Sequence, residues 1–430
     1  MLQNDANKSQ LREAEKAPKQ TVLYDQNVGL TDKSHIVSFA GYLMPLWYSS
    51  ITSEHTAARE AAGIFDCTHM GVLEISGVDA AEFIDQLTTN SITNLKVKHA
   101  QYSFILDASG GVLDDVIVYR KDRDKFFVVV NAANNTKIKN WINALLKNRS
   151  QKSEVRRQKS EVGGQIICPL SSVICSLSYD CMVDIALQGP KSLDVFSVLT
   201  QNKETQSKIA DLRPFQFMET DIKGIGCLIS RTGYTGAKSG FELFVHPERA
   251  SQLWETILQA GKPLGLLPCG LGSRDSLRIE AGLPLYGHEL AGKFGISPFE
   301  AGYGWAVKLE KKFFIGKTAM ERISREYDMK VARIELPGTK GIRPVRQNDG
   351  VLDEHGRSIG WVLSCARIGE KQIALVYVDR KSLEENDAVG LYYSARSRSH
   401  IQQGRKQSID KGELLEPDLT GKVVVRFAKF

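Results

Sequence analysis

The 430-residue chain carries 56 basic and 50 acidic side chains, a formal net charge of +6, with 42% hydrophobic residues. This composition is typical of a globular protein of two or three domains, and so mild a charge excludes nucleic-acid binding unless one face concentrates it. No apolar run approaches the roughly 18 residues that a membrane span needs, so no membrane association is expected.

The cysteines and the N-terminal residues indicate the cellular compartment in which the protein is expected. Seven cysteines are scattered without a CxxC pair, which favours neither a zinc site nor a disulfide framework, so no metal is predicted. A reducing compartment fits best, the cytoplasm by default or the mitochondrial matrix in a eukaryote. Residues 1–21 are polar, lack an apolar signal core and are expected to form a disordered tail.

From residue 22 the pattern becomes globular. A strand is predicted over 35–41, and residues 44–48 (MPLWY) either pack in the core or form a wall for a flat ligand. A helix over 52–61 precedes the motif FDCTHMG at 65–71. Asp66 and His69 of this motif form either an acid–base pair or, the interpretation we favour, a turn in which Asp66 caps nearby backbone.

Two adjacent acids interrupt an apolar strand in the segment DASGGVLDDVIVYR at 107–120. Gly110 and Gly111 supply a tight turn before it. Because strand side chains alternate, one of Asp114 and Asp115 should face solvent and the other the interior or a cleft. Taken alone, the pair is equally compatible with a simple bend or an edge-strand charge. The strand at 102–106 enters the turn, and 126–130 is predicted to pair with it in a hairpin.

The next 180 residues alternate helices and strands, as expected of an α+β fold. A charged segment at 149–163, in which QKSEV occurs twice, is predicted to be a solvated loop insertion. The strand at 241–245 carries Glu242, and the helix at 271–282 carries Arg274 and Arg278 one turn apart. The remaining predicted elements are helices at 80–87, 136–146, 192–199 and 250–260, and strands at 72–75, 182–187 and 227–230.

After residue 317 short strands dominate, at 331–336, 360–364, 373–378 and 423–426. This spacing predicts an antiparallel barrel or sandwich. A basic stretch at 394–411 is predicted to be a long loop within it.

Six motifs occur together: FDCTHMG at 65–71, GGVLDDVIV at 110–118, ALQGP at 186–190, RTGYTG…GFE at 231–242, GSRDSLRIEAGLPLYGHEL at 272–290 and SPFEAG at 297–302. In this order they closely resemble the T-proteins of the glycine cleavage system, which are tetrahydrofolate-dependent aminomethyltransferases. The resemblance implies two interwoven α+β domains over 22–310 and a C-terminal β-barrel over 318–430, in a ring around a central folate site. It also implies a lipoyl-bearing H-protein as partner, a monomeric chain, and transfer of a methylene group to tetrahydrofolate with release of ammonia.

Site residues follow from the same resemblance. The second acid of the GGxxDD motif is the family's catalytic carboxylate, which matches Asp115. The glutamate that ends GFE binds the pterin edge and matches Glu242, and the first arginine of RDSLR contacts substrate and matches Arg274. Further pocket-lining positions match Tyr102, Asn131, Tyr234 and Met44.

The chain departs from the family pattern at 237–240, where the glutamate after GYTG is replaced and one residue is added. A shift of this loop is therefore expected. Two other functions stay open: a different folate-dependent demethylase on the same scaffold, and a folate-binding accessory protein without turnover. The accessory relatives carry a cysteine in a KGCYxGQE motif where this chain has RTGYTG, which argues against them.

Overall fold

The computed structural model describes residues 17–155 and 176–430. Of the predicted tail, residues 1–16 lie outside the described part. The prediction is wrong from Lys19, because Lys19 and Gln20 pair in parallel with Tyr42 and Leu43. Within the described residues no helix is long and apolar enough to cross a membrane.

The described elements alternate as predicted over the first three hundred residues. The first are β1 (Lys19–Gln20), α1 (Tyr24–Leu30), β2 (Ile36–Phe39), β3 (Tyr42–Pro45), α2 (Ile51–Glu60), β4 (Ala62–Asp66), β5 (Gly71–Ser76), α3 (Ala80–Leu87), β6 (His99–Leu106), β7 (Val112–Asp122), β8 (Lys125–Val130), α4 (Asn135–Val155) and β9 (Ser176–Tyr179). They are followed by β10 (Val183–Gln188), α5 (Ser192–Leu199), α6 (Lys203–Asp211), β11 (Phe217–Ile222), β12 (Ile225–Ser230), β13 (Gly240–Val245), α7 (Pro247–Gly261), β14 (Leu266–Cys269) and α8 (Leu271–Ala281).

β7 lies between β6 and β8 in a five-stranded sheet with the order β6-β7-β8-β5-β9. The predicted hairpin between 102–106 and 126–130 is therefore wrong, because each of these strands pairs with β7: Tyr102 lies opposite Ile117, and Phe126 opposite Arg120. The tight turns before and after β7 place it between its two sequence neighbours.

A six-stranded sheet has the order β11-β12-β13-β10-β4-β14. β4 belongs to it although β5 to β9 form the other sheet, so the two α+β halves are interwoven as the resemblance implied. Aromatic rings fill the space between the sheets. Tyr119 of β7 stacks on Phe127 at a centroid distance of 4.3 Å and meets Phe244 of β13 edge-on at 5.2 Å.

The C-terminal part contains α9 (Lys317–Glu326), β15 (Met329–Pro337), β16 (Gly350–Leu352), β17 (Ser358–Ile368), β18 (Lys371–Asp379), β19 (Ala388–Tyr392), α10 (Arg398–Gln402) and β20 (Leu419–Val424). Its strands close into a barrel with the order β15-β18-β17-β16-β19-β20, which confirms the α+β fold with a C-terminal β-barrel. The predicted boundary at residue 318 falls inside α9. The predicted loop at 394–411 contains one short helix, α10.

The charged insertion differs from its prediction in its first residues. α4 continues to Val155, so a loop over 149–155 is wrong. Residues 149–155 contain neither Gly nor Pro and include Arg, Gln, Lys and Glu, all of which favour helix, so nothing local ends the helix at 148. Residues 156–163 lie outside the described part of the chain.

Candidate active site

A cavity of about 430 Å³ lies between the two sheets. The residues that line it come from both sheets and from the loops around them, and in the sequence they range from Phe39 to Trp305. The segment that follows the last barrel strand supports one wall of the cavity, since Phe427 packs edge-on against Tyr303 at a centroid distance of 5.3 Å. The cavity brings together six of the seven site residues expected from the sequence. They are Tyr102, Asp115, Asn131, Tyr234, Glu242 and Arg274.

The two adjacent acids of β7 take opposite faces, as strand alternation requires. Asp114 is fully buried and Asp115 is half-buried on the cavity wall. The prediction that one of them faces open solvent is wrong. The loop that follows α8 covers this side of β7, where the hydroxyl of Tyr286 donates to the carbonyl of Val112 at 3.2 Å.

Asn131 bridges the two carboxylates. Its side-chain amide donates to Asp114 at 2.8 Å and to Asp115 at 2.9 Å, while its backbone N–H donates to Asp114 at 3.0 Å. Asn134 donates to Asp114 at 2.5 Å, and the Tyr102 hydroxyl donates to Asp115 at 2.8 Å. These donors fix the Asp115 side chain against the cavity.

The protonation of the pair is set by opposing effects. Burial raises the pKa of Asp114 to about 8, assisted by the charge of Asp115, and burial also raises the pKa of Asp115. The N–H and O–H donors act in the opposite direction because they stabilise the ionised form. Asp115 is therefore a carboxylate whose charge depends on its donors, Tyr102 and Asn131.

Glu242 lies in a second polar cluster of the cavity. Its Oε2 accepts hydrogen bonds from the Thr232 hydroxyl and, at 3.2 Å, from the Tyr119 hydroxyl. No described residue hydrogen-bonds its Oε1, and burial raises the pKa of its carboxyl group. One carboxylate oxygen is thus held by the protein and the other is free for a ligand.

Arg274 extends from α8 into the same end of the cavity. Its guanidinium donates to Cys67 Sγ at 2.9 Å and lies 5.3 Å above the ring of Tyr234. Arg278, one turn further on, is instead fully buried in an ion pair with Glu289 at 2.7 Å. The two arginines therefore have different roles, and Arg274 is the one that reaches the cavity.

Asp66 and His69 do not form an acid–base pair. Asp66 accepts hydrogen bonds from the backbone and hydroxyl of Thr68, from Asn27 and from Thr21, at 2.7–3.0 Å. The capping interpretation is confirmed. His69 lines the cavity, and no side chain or backbone group in the described ranges hydrogen-bonds to its Nδ1. Burial lowers its pKa to about 4, so its ring is neutral there.

Met44 is not brought to this cavity. It is buried in a separate space of about 10 Å³ on the other side of Arg274. Of the sequence interpretations for residues 44–48, core packing therefore describes Met44.

Several lining residues were missed by the sequence analysis. Tyr303 and Trp305 form an aromatic wall beside Tyr102, with centroid distances of 5.0 and 6.1 Å. Asp184 also lines the cavity. In the sequence it could have been noticed as the single acidic residue within the otherwise apolar segment VDIAL at 183–187.

The altered loop at 237–240 is tied to the end of the chain. The backbone N–H of Lys238 donates to the Phe430 carbonyl at 2.7 Å, and that of Phe430 donates to the Gly236 carbonyl at 3.1 Å. Arg59 stacks on the Phe430 ring at 4.1 Å. Glu242 nevertheless reaches the cavity, so the added residue is absorbed within the loop.

Comparison with known proteins agrees with this geometry. A model of the family described as the GCVT N-terminal domain matches residues 26–311, more than half of the chain. The chain belongs to this family.

Named relatives extend the match into the barrel. An aminomethyltransferase of Alkaliphilus metalliredigens is 36% identical over 365 residues, which cover 84% of this chain and 89% of that protein. One from Caldanaerobacter subterraneus is 41% identical over 304 residues, covering 70% and 72%. The crystal structure of glycine cleavage system aminomethyltransferase T from Bartonella henselae has a TM-score of 0.70 at 26% identity, covering 96% and 98%. The resemblance to T-proteins and the assignment as an aminomethyltransferase are confirmed.

Proposed function

We propose that this aminomethyltransferase moves the methylene of an aminomethyl group, carried on the lipoyl arm of an H-protein, to tetrahydrofolate. The products are 5,10-methylenetetrahydrofolate, ammonia and the dihydrolipoyl H-protein. The observation that carries the proposal is one cavity that holds a fixed carboxylate, Asp115, together with a half-free carboxylate, Glu242, and an arginine, Arg274. We propose further that the chain acts as a cytoplasmic monomer, without metal or nucleic acid.

The Glu242 cluster suits the pterin ring. A pterin edge presents N–H donors side by side, and a buried carboxylate accepts them strongly. Tyr102 and Tyr234 supply aromatic surface for a flat ring. Within the described residues no group of three or more His, Cys, Asp or Glu side chains is arranged to hold a metal ion.

Asp115 suits the reacting centre. When the C–N bond of the aminomethyl group breaks and ammonia leaves, positive charge develops on the methylene carbon. A carboxylate fixed by Tyr102 and Asn131 stabilises that charge without reorganising. The carbon then bonds to N5 and N10 of tetrahydrofolate, the lipoyl sulfur leaves as a thiol, and much of the acceleration comes from holding the two reactants together.

The test is ammonia release and methylenetetrahydrofolate formation from aminomethyl-loaded H-protein, with and without tetrahydrofolate. Turnover that requires both supports the proposal. Asp115→Asn should reduce turnover by about 100-fold or more, as for loss of one charge-stabilising group, with little change in tetrahydrofolate affinity. Full turnover of this variant would contradict the role of Asp115.

The same assay separates the other functions. Transfer of a methyl group from a methylated amine or sulfonium to N5 of tetrahydrofolate without H-protein, giving 5-methyltetrahydrofolate and the demethylated compound, would identify a different demethylase. Tight tetrahydrofolate binding with no turnover on either substrate would identify an accessory protein.

A further inference from the structure

Asp184 is an acid in a strand where an apolar residue is expected. Its neighbours in β10, Val183 and Ile185, are buried core residues, and Asp184 itself is 3% exposed. Its Oδ1 is buried with no hydrogen-bond partner, and no described residue donates to its other oxygen. A buried carboxylate without donors destabilises the folded protein, so a structural role does not account for it.

The sheet register places Asp184 beside Glu242. Ala186 of β10 lies opposite Glu242 of β13, and Asp184 lies opposite Phe244. Asp184 and Glu242 are therefore diagonal neighbours on the same face of the sheet, with Cα atoms roughly 7–8 Å apart. Both line the cavity, as does Arg274. Two carboxylates and one arginine thus share one end of the site.

Glu242 offers a ligand one oxygen to which no described residue donates a hydrogen bond. Its Oε2 already accepts from Thr232 and Tyr119, which uses both lone pairs of that oxygen. Its Oε1 remains for the ligand. Two N–H donors that point in different directions from one ligand group are best matched by two separate acceptors, and Asp184 supplies a second carboxylate next to Glu242.

We infer that Asp184 is a second pterin-binding carboxylate, which shares the paired N–H donors of the pterin edge with Glu242. This inference rests on the proposed function, because it names the part of tetrahydrofolate that this residue recognises. The exocyclic 2-amino group of the pterin carries two N–H donors, one for each carboxylate. Burial, then the nearby charge of Glu242, raise the pKa of the Asp184 carboxyl group, whereas Arg274 lowers it. Donors from the ligand would favour the ionised form of Asp184.

Binding of a metal ion does not explain the pairing of Asp184 with Glu242 equally well. The guanidinium of Arg274 is a fixed positive charge in the same cluster, and it repels a cation that the two carboxylates would otherwise attract. The same charge arrangement is compatible with a neutral ligand rich in N–H donors.

The experiment compares Asp184→Asn and Asp184→Leu with the control Asp194→Asn, an acid on the exposed side of α5. Dissociation constants are measured by calorimetry for tetrahydrofolate and for an analogue in which a methyl group replaces the 2-amino group. For tetrahydrofolate, Asp184→Leu should raise Kd by about 10- to 100-fold, as for loss of a hydrogen bond to a charged group, and Asp184→Asn by less, because its amide oxygen still accepts. For the analogue, both variants should bind as the wild type does.

Stability provides an independent readout. Because Asp184 has no donors in the ligand-free protein, Asp184→Leu should melt at a higher temperature than the wild type in the absence of folate. A structural residue would behave in the opposite way, lowering the melting temperature and weakening both ligands equally. That result, or an unchanged Kd for tetrahydrofolate, would overturn the inference. A wild-type protein that binds no tetrahydrofolate would instead overturn the proposed function itself.

Discussion

Asn131 offers the sharpest test of how the site controls the charge of Asp115. Its amide donates to both carboxylates of the pair, at 2.8 and 2.9 Å. In Asn131→Ala the Tyr102 hydroxyl remains as a donor to Asp115, and the two buried acids lose the group that bridges them. The ionised form of Asp115 becomes less stable, so its pKa, already raised by burial, rises further.

The size of this shift follows from the hydrogen bond that is lost. A hydrogen bond to a charged group contributes about 1.5–3 kcal/mol. Since 1.36 kcal/mol corresponds to one pKa unit, the pKa of Asp115 should rise by about 1–2 units. If the reaction requires the Asp115 carboxylate, the acidic limb of the pH profile of kcat/KM, which reports the free enzyme, moves to higher pH by the same amount.

The assay is methylenetetrahydrofolate formation across pH 5–9, under conditions where H-protein loading is not limiting. Asn134→Ala is the matched control, because the side-chain amide of Asn134 donates to Asp114 at 2.5 Å and, in the described structure, does not hydrogen-bond to Asp115. Removing it destabilises the charge on Asp114 alone, so the acidic limb should not move upward. An acidic limb that stays in place in Asn131→Ala, or moves upward equally in both variants, would refute this account of Asp115.

Three further predictions concern other parts of the molecule. Glu242→Gln should raise the Kd for tetrahydrofolate by about 10- to 100-fold, since a neutral amide replaces a charged acceptor; calorimetry that shows wild-type affinity would contradict this. Tyr102→Phe keeps the aromatic wall but removes the hydroxyl that donates to Asp115, so kcat should fall by about tenfold while the Kd for tetrahydrofolate is retained. Lys311→Met should lower the free energy of unfolding in urea by about 3 kcal/mol, because the ammonium group satisfies three backbone carbonyls at the end of α3. Lys312→Met, at an exposed position, should have almost no effect.

The sequence predicted best where local pattern decides the structure. The helices at 80–87 and 192–199 coincide with α3 and α5, because each has an apolar face of helical period bounded by polar residues. The sequence-based prediction failed where the choice of strand partners decides the structure. Residues 126–130 were paired with 102–106, across the strand that lies between them in the sequence, because their composition suits either partner. The tight turns at the two ends of β7 instead pair both segments with β7.

The site residues likewise divide into those that a sequence motif identifies and those that depend on the three-dimensional structure. Asp115, Glu242 and Arg274 were expected from the family motifs, and the structure brings them into one cavity. Asp184 was missed because it belongs to no motif, and its meaning depends on the strand opposite it. Met44 was matched to a pocket-lining position by the family resemblance, whereas the structure buries it in the separate small space beside Arg274.

One strand sets the spacing of the two carboxylate clusters. Asp115, Ile117 and Tyr119 of β7 point to the same face, because successive side chains of a strand alternate between its two faces. Asp115 meets the cavity directly, and Tyr119 holds Glu242 through its hydroxyl. Four residues of extended strand separate the two by about 13 Å, a distance on the scale of a pterin ring and its first linking atoms. The strand therefore fixes the distance between Asp115 and the cluster around Glu242. A shift of one residue in the β7 register would turn the side chains of Asp115 and Tyr119 away from the cavity together.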